Sequence, residues 1–178
     1  MLVARSISEC HLFMALHPCA ECGEDDFPWS RHDFGTGDDG PVSVYEGDCP
    51  SCGAERRFAF TLGPDLVPPP AFGGPEPSRI IDPGEFFALA ERAAQYAVVP
   101  PDASALRRAD AADAAADAVA TLEEVLKFLP PSADAVPADE FTSAAGRAVY
   151  DADPARFGRE GLTAQREAYR QTLLDLTR

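Results

Sequence analysis

Four of the five cysteines share a pattern that can hold a metal ion. Cys19-Ala20-Glu21-Cys22-Gly23 and Cys49-Pro50-Ser51-Cys52-Gly53 are two C-x-x-C-G units, with 26 residues between Cys22 and Cys49. Two thiolates with two residues between them grip one ion from a tight turn. The glycine that follows allows the left-handed backbone such a turn needs. Two of these turns complete a tetrahedron of sulfurs, so one Zn²⁺ per chain on Cys19, Cys22, Cys49 and Cys52 is the expected cofactor. A closed four-thiolate set leaves no coordination position for a substrate, and the expected role of the metal is structural. The fifth cysteine, Cys10, is expected to be a free thiol.

Over residues 17–62 this arrangement resembles the zinc-ribbon class, with all four ligand positions matching. The resemblance implies a metal site and a small sheet; it does not imply an activity, since ribbons serve transcription factors, ribosomal proteins and many interaction modules. The Cys-Pro-x-Cys-Gly unit is also similar to that of rubredoxins, whose four cysteines hold iron.

Other chemically capable residues have duller explanations. His17 precedes Cys19 closely enough to replace a ligand or bond a thiolate. Cys10-His11 has the types of a nucleophile and its base, but helix neighbours at i and i+1 do not face each other. His32 is a lone strand histidine near Trp29. Gly35-Thr36-Gly37 lacks the helix a dinucleotide fingerprint requires. Asp110, Asp113, Asp117 and Glu124 recur at intervals of three, four and seven, which aligns them on one helix face. That stripe is the candidate partner-binding surface, against the alternative of a merely solvated face. Its Ala-rich setting builds no pocket for acid–base catalysis.

The formal charge of −15, from 30 acidic and 15 basic side chains, repels phosphate backbones and anionic headgroups and attracts basic partners. Nucleic acid and membranes are therefore disfavoured as partners, and a basic protein is favoured. The single lysine among the basic residues, with abundant alanine, is a codon-usage sign of a GC-rich bacterial genome. No apolar run approaches the ~20 residues needed to span a bilayer, and no leader pattern is visible at the start. A cytoplasmic, reducing location is expected, where paired cysteines serve as ligands.

These residues must be positioned by an α+β chain in two parts. Ser6-Ile7-Ser8-Glu9 is a capping-box pattern that predicts a helix over 7–16, ended by Pro18. Short β-type runs follow at 27–34, 42–46 and 57–62, the first two separated by the Gly/Asp-rich 35–40. Residues 1–62 thus make a helix plus ribbon, 63–78 a Pro/Gly-rich linker containing Pro68-Pro69-Pro70, and 79–178 a mainly helical unit. Asp82-Pro83-Gly84-Glu85 predicts a helix start, with Phe86, Leu89, Ala90, Ala93 and Ala97 as its buried face. A long helix is expected over 102–129 with a Val119, Leu122, Leu126, Leu129 seam. Shorter helices are expected over 138–150 and 163–176, with Asp153-Pro154 as a further helix start and Tyr169, Leu173 and Leu176 facing inward.

The expected function is a non-enzymatic intracellular zinc-binding interaction or adaptor protein, one version being an immunity-type binder of a basic toxin. One alternative is a ribbon docking on transcription or translation machinery through a basic strip at Arg56-Arg57 or Arg107-Arg108. Another is an enzyme with a site between ribbon and helices.

Overall fold

A computed structural model describes residues 1–63 and 72–178, so Pro68-Pro69-Pro70 lies outside the described residues. The fold is α+β, and the chain groups into two compact units. One comprises Met1–Gly74 with Ser78–Ile80; the other comprises Pro75–Pro77 with Ile81–Arg178.

In the first unit, strand β1 (Leu2–Ala4) leads into helix α1 (Ile7–Leu16), followed by β2 (Arg31–Gly37), β3 (Gly40–Asp48) and β4 (Glu55–Leu62). The sheet order is β1-β4-β3-β2, with β1 parallel to β4 and the other pairs antiparallel. β1 is absent from the expected elements because three residues are too few to show an alternation. The 35–40 segment is not all turn: β2 runs on through Gly37, which pairs with Gly40, and only Asp38-Asp39 remain as the connection. α1 lays Cys10, Phe13 and Met14 on the sheet, with Phe13 edge-on to Phe58 and Phe60.

The start of α1 is half the expected capping box. Ser6 Oγ accepts from Glu9 N at 3.0 Å, but the Glu9 carboxylate turns to Arg5 instead. It accepts from the Arg5 backbone N–H at 2.6 Å and from the guanidinium at 2.9 and 2.6 Å. Glu9 is fully buried, and a buried carboxylate is tolerable only with its charge matched.

In the second unit α2 (Pro83–Tyr96), α3 (Ala105–Lys127), α4 (Ala144–Ala152) and α5 (Arg159–Leu176) surround Phe86, Phe87, Leu122, Phe141, Phe157 and Leu162. Asp82 caps α2 with the full reciprocal box expected from the sequence. α3 starts two to three residues later than expected because Ser104, and not Asp102, accepts from Arg107 N. Its seam is carried by alanines, Ala111, Ala115, Ala118, then Leu122 and Val125, while Val119 and Leu126 are only half-buried. The expected helix over 138–150 is instead a 3₁₀ turn (Ala138–Glu140) and α4, because Ser143 Oγ accepts from Gly146 N and starts a new helix. Asp153 starts another 3₁₀ turn (Pro154–Phe157) that feeds α5.

Asp82 also joins two helix starts. Its Oδ1 accepts from Gly84 N and Glu85 N at 2.9 and 3.0 Å, and its Oδ2 accepts from Ser143 N at 2.7 Å. The approach is close enough that a Cβ on Gly146 would fall 1.9 Å from Asp82 Oδ1, and one on Gly84 2.4 Å from the Gly146 carbonyl oxygen.

Candidate metal centre

The two cysteine turns are near-copies of each other. In the first, Gly23 N donates to Cys19 O at 2.8 Å and Cys19 N to Glu24 O at 2.7 Å. In the second, Gly53 N donates to Cys49 O at 2.9 Å and Cys49 N to Ala54 O at 2.8 Å. Gly23 and Gly53 sit at φ 78° and 74°, a conformation side chains resist, which is why glycine follows each second cysteine. The β2–β3–β4 sheet brings the turns together, the first leading toward β2 and the second joining β3 to β4.

All four Sγ atoms lie within 4.8 Å of one another, with Cys19–Cys52 at 3.7 Å and Cys22–Cys49 at 3.6 Å. A tetrahedral ion with metal–sulfur bonds of about 2.3 Å needs sulfurs about 3.8 Å apart. Cys19, Cys22, Cys49 and Cys52 are thus positioned to bind one metal ion. Cys19 and Cys49 are buried, whereas Cys22 and Cys52 face solvent.

The main chain favours ionised sulfur here. Burial alone would raise the Cys49 thiol, but amide donors at Cys52 and Ser51 outweigh it and bring the group down to about 7. The Glu24 amide acts likewise on Cys22 and Ala54's on Cys52, but there desolvation and the neighbouring sulfurs win, pushing Cys22 up to about 12 and raising Cys52. In the absence of an ion the cluster thus concentrates its ionisation on Cys49. Amides aimed at thiolate sulfur suit a metal-ligand set.

Two contacts not anticipated from the sequence hold the turns in place. Ser51 Oγ in the second turn donates to the carboxylate of Glu24 beside the first, which holds that carboxyl below its usual range. Arg56 donates from Nη1 to Asp26 O at 2.8 Å and from Nη2 to His17 O at 2.6 Å, with its guanidinium 4.5 Å over Phe27. Its signal was present: Arg56, Phe58 and Phe60 alternate on one strand face, so Arg56 points inward with the aromatics. This corrects the expected basic strip. Arg56 is buried, and Arg57 pairs with Glu46. Arg107 and Arg108 donate to the carbonyls of Tyr96, Pro101 and Ala103 near the α2–α3 connection.

The remaining expected residues fall away from the sulfurs. His17 Nδ1 bonds Phe13 O at 2.7 Å and its ring stacks on Phe13. Cys10 is fully buried, and burial with the neighbouring Glu9 charge pushes its thiol up to about 12, which disfavours the thiolate that a nucleophile needs. His11 Nε2 lies 3.2 Å from Tyr45 Oη, and His32 Nε2 2.8 Å from Ser43 Oγ.

The acidic stripe survives only in part. Asp110, Asp113 and Asp117 are exposed on α3. Glu124 is a correction: it is buried and bonded to Lys127 Nζ at 2.5 Å. The sequence spacing is right, but α5 packs along this end of α3, as the Arg170–Glu123 pair records, and that end is covered on several sides. Partial burial, then the Asp113 charge, raises the Asp117 carboxyl above its usual range. A carboxyl raised on folding stabilises the fold less as pH climbs through that raised value. Asp117→Asn is therefore expected to raise the melting temperature of the helical unit at neutral pH. The gain should vanish in acid, below the unfolded carboxyl range; a gain constant with pH would remove charge as the cause.

No described helix is long and apolar enough to cross a membrane. Comparisons with protein-family models, with curated proteins and with solved structures find no match to this chain.

Proposed function

We propose that this chain is a non-enzymatic, zinc-holding interaction protein whose acidic surface engages a basic protein partner. The observation that carries the reading is the closed set of four sulfurs within 4.8 Å of one another. Such a set fills every position of a tetrahedral Zn²⁺ and leaves none for substrate, which favours a structural, zinc-ribbon-like module. The charge of −15 supports the basic partner, because like-signed clusters speed encounter with the opposite sign. An immunity-type protein that neutralises a basic toxin is the narrowest form of this reading. Docking on transcription or translation machinery through a basic strip has less support, since Arg56 is buried.

The direct test is to isolate the native protein with whatever it binds and measure association across a salt series. Exposed charge steers only over a Debye length, ~8 Å at physiological ionic strength, so the on-rate should fall as salt rises. Replacing Asp110, Asp113 and Asp117 together by Asn should slow association and leave zinc content and helix content unchanged. A partner that binds this triple variant at the wild-type rate at every salt concentration removes the α3 stripe from the contact. Tight binding of duplex DNA at physiological salt would overturn the charge argument itself.

A further inference from the structure

β2 is an edge strand, and six of its seven residues are exposed. Protein edges are commonly blunted by lysine, proline, a bulge or a covering element. β2 contains neither lysine nor proline. Its two charges, Arg31 and Asp33, pair with each other on the face opposite His32, Phe34 and Thr36. The strand pairs residue for residue with β3 from Arg31↔Glu46 to Gly37↔Gly40. Among the described residues, no strand pairs with its outer side.

Pro41 determines which main-chain groups that outer side presents. It pairs with Thr36 and has no N–H, so Thr36↔Pro41 is a non-hydrogen-bonded pair of the ladder. Alternation then makes Phe34↔Ser43 and His32↔Tyr45 non-hydrogen-bonded as well. The N–H and C=O groups of His32, Phe34 and Thr36 therefore point away from β3. Their side chains share the face on which aromatics gather. His32 lies flat on Tyr45, with centroids 4.4 Å apart and planes 7° apart, and Trp29 stacks on His11 at 5.1 Å. Trp29 is 41% exposed and Phe34 64% exposed. The surrounding chain is strongly acidic: residues 21–48 hold nine carboxylates against Arg31 alone.

We infer that the outer edge of β2 accepts an extended, basic segment of a partner protein as an added strand. The segment's main chain bonds to His32, Phe34 and Thr36, and its Arg or Lys side chains lie over Trp29 and Phe34, where ring faces attract cations. A second copy of this chain is the poorer occupant, since two surfaces of charge −15 repel. The inference rests on the proposed basic-partner reading and assigns it a place.

The probe is a set of peptides of about eight residues, a usual strand length, in which Arg alternates with Val or Thr. Counterparts carry Glu for Arg. Trp29 is the only tryptophan, so its emission reports this surface in the intact metal-loaded chain. Basic peptides should shift that emission saturably and slow exchange of the His32, Phe34 and Thr36 amides, while acidic ones do neither. Thr36→Pro removes one outward donor and leaves the β3 ladder intact; it should weaken binding about tenfold or more. Phe34→Lys should cause a similar loss without touching the backbone, should Thr36→Pro fail to hold metal. Equal binding of acidic peptides, no response to any basic peptide, or full binding by both variants would overturn the edge assignment. Basic peptides that bind without protecting those amides would overturn it too, while leaving the basic-partner reading intact. A concentration-dependent dimer abolished by Thr36→Pro would give the edge to a second copy and overturn the peptide assignment.

Discussion

Stripping the metal is expected to unfold the first unit and leave the second helical. Each turn holds its pair of sulfurs through only a few backbone bonds, and the sheet between them is small. Structural zinc contributes roughly 10–16 kcal/mol in comparable small modules, similar to the whole stability of a typical domain. Elemental analysis should find one zinc per chain, and iron in a red protein would defeat the zinc assignment. Cys49→Ser removes a buried ligand and should abolish metal retention. Amide exchange should then become fast over β2, β3 and β4 and stay slow in α2 and α3. Simultaneous loss of protection in both units would show one cooperative fold and refute the separation.

Gly146→Ala is the second large effect, and its sign runs against propensity. Glycine to alanine within a helix ordinarily stabilises by about 1 kcal/mol. Here the added Cβ would sit 1.9 Å from Asp82 Oδ1. Asp82 cannot step aside cheaply, because its carboxylate accepts from Gly84, Glu85 and Ser143 and so caps α2 while anchoring the start of α4. Overpacking and a lost cap together should destabilise the helical unit by about 3–5 kcal/mol, read as a lower urea midpoint. In an Asp82→Ala background most of that penalty should disappear, since the atom being struck is gone. Additive losses in the double variant would mean the contact is not the cause.

Local chemistry was legible in the sequence, and covering was not. The ligand set, the α1 start at Ser6 and the α2 box at Asp82-Pro83-Glu85 each follow from residue types a few positions apart, and the structure places them so. Glu124 failed for the opposite reason: its spacing defines a helix face, but only the packing of α5 decides that this part of the face is dry. The Ala111–Ala118 seam was missed because alanine occupies both sides of α3 and marks neither. The charge of Arg56 points to the surface, but its phase with Phe58 and Phe60 places it inside.

The parallel pairing of β1 with β4 has a consequence for the order of events during synthesis. Leu2 finds its partner Phe60 only after almost the whole first unit has been made. At roughly 5–20 residues per second, that is a wait of about 3–12 s. Cys52 leaves the ribosome before Phe60, so all four sulfurs can meet an ion while β1 is still without its neighbour. Ion capture can therefore come first, and sheet closure over β1 last.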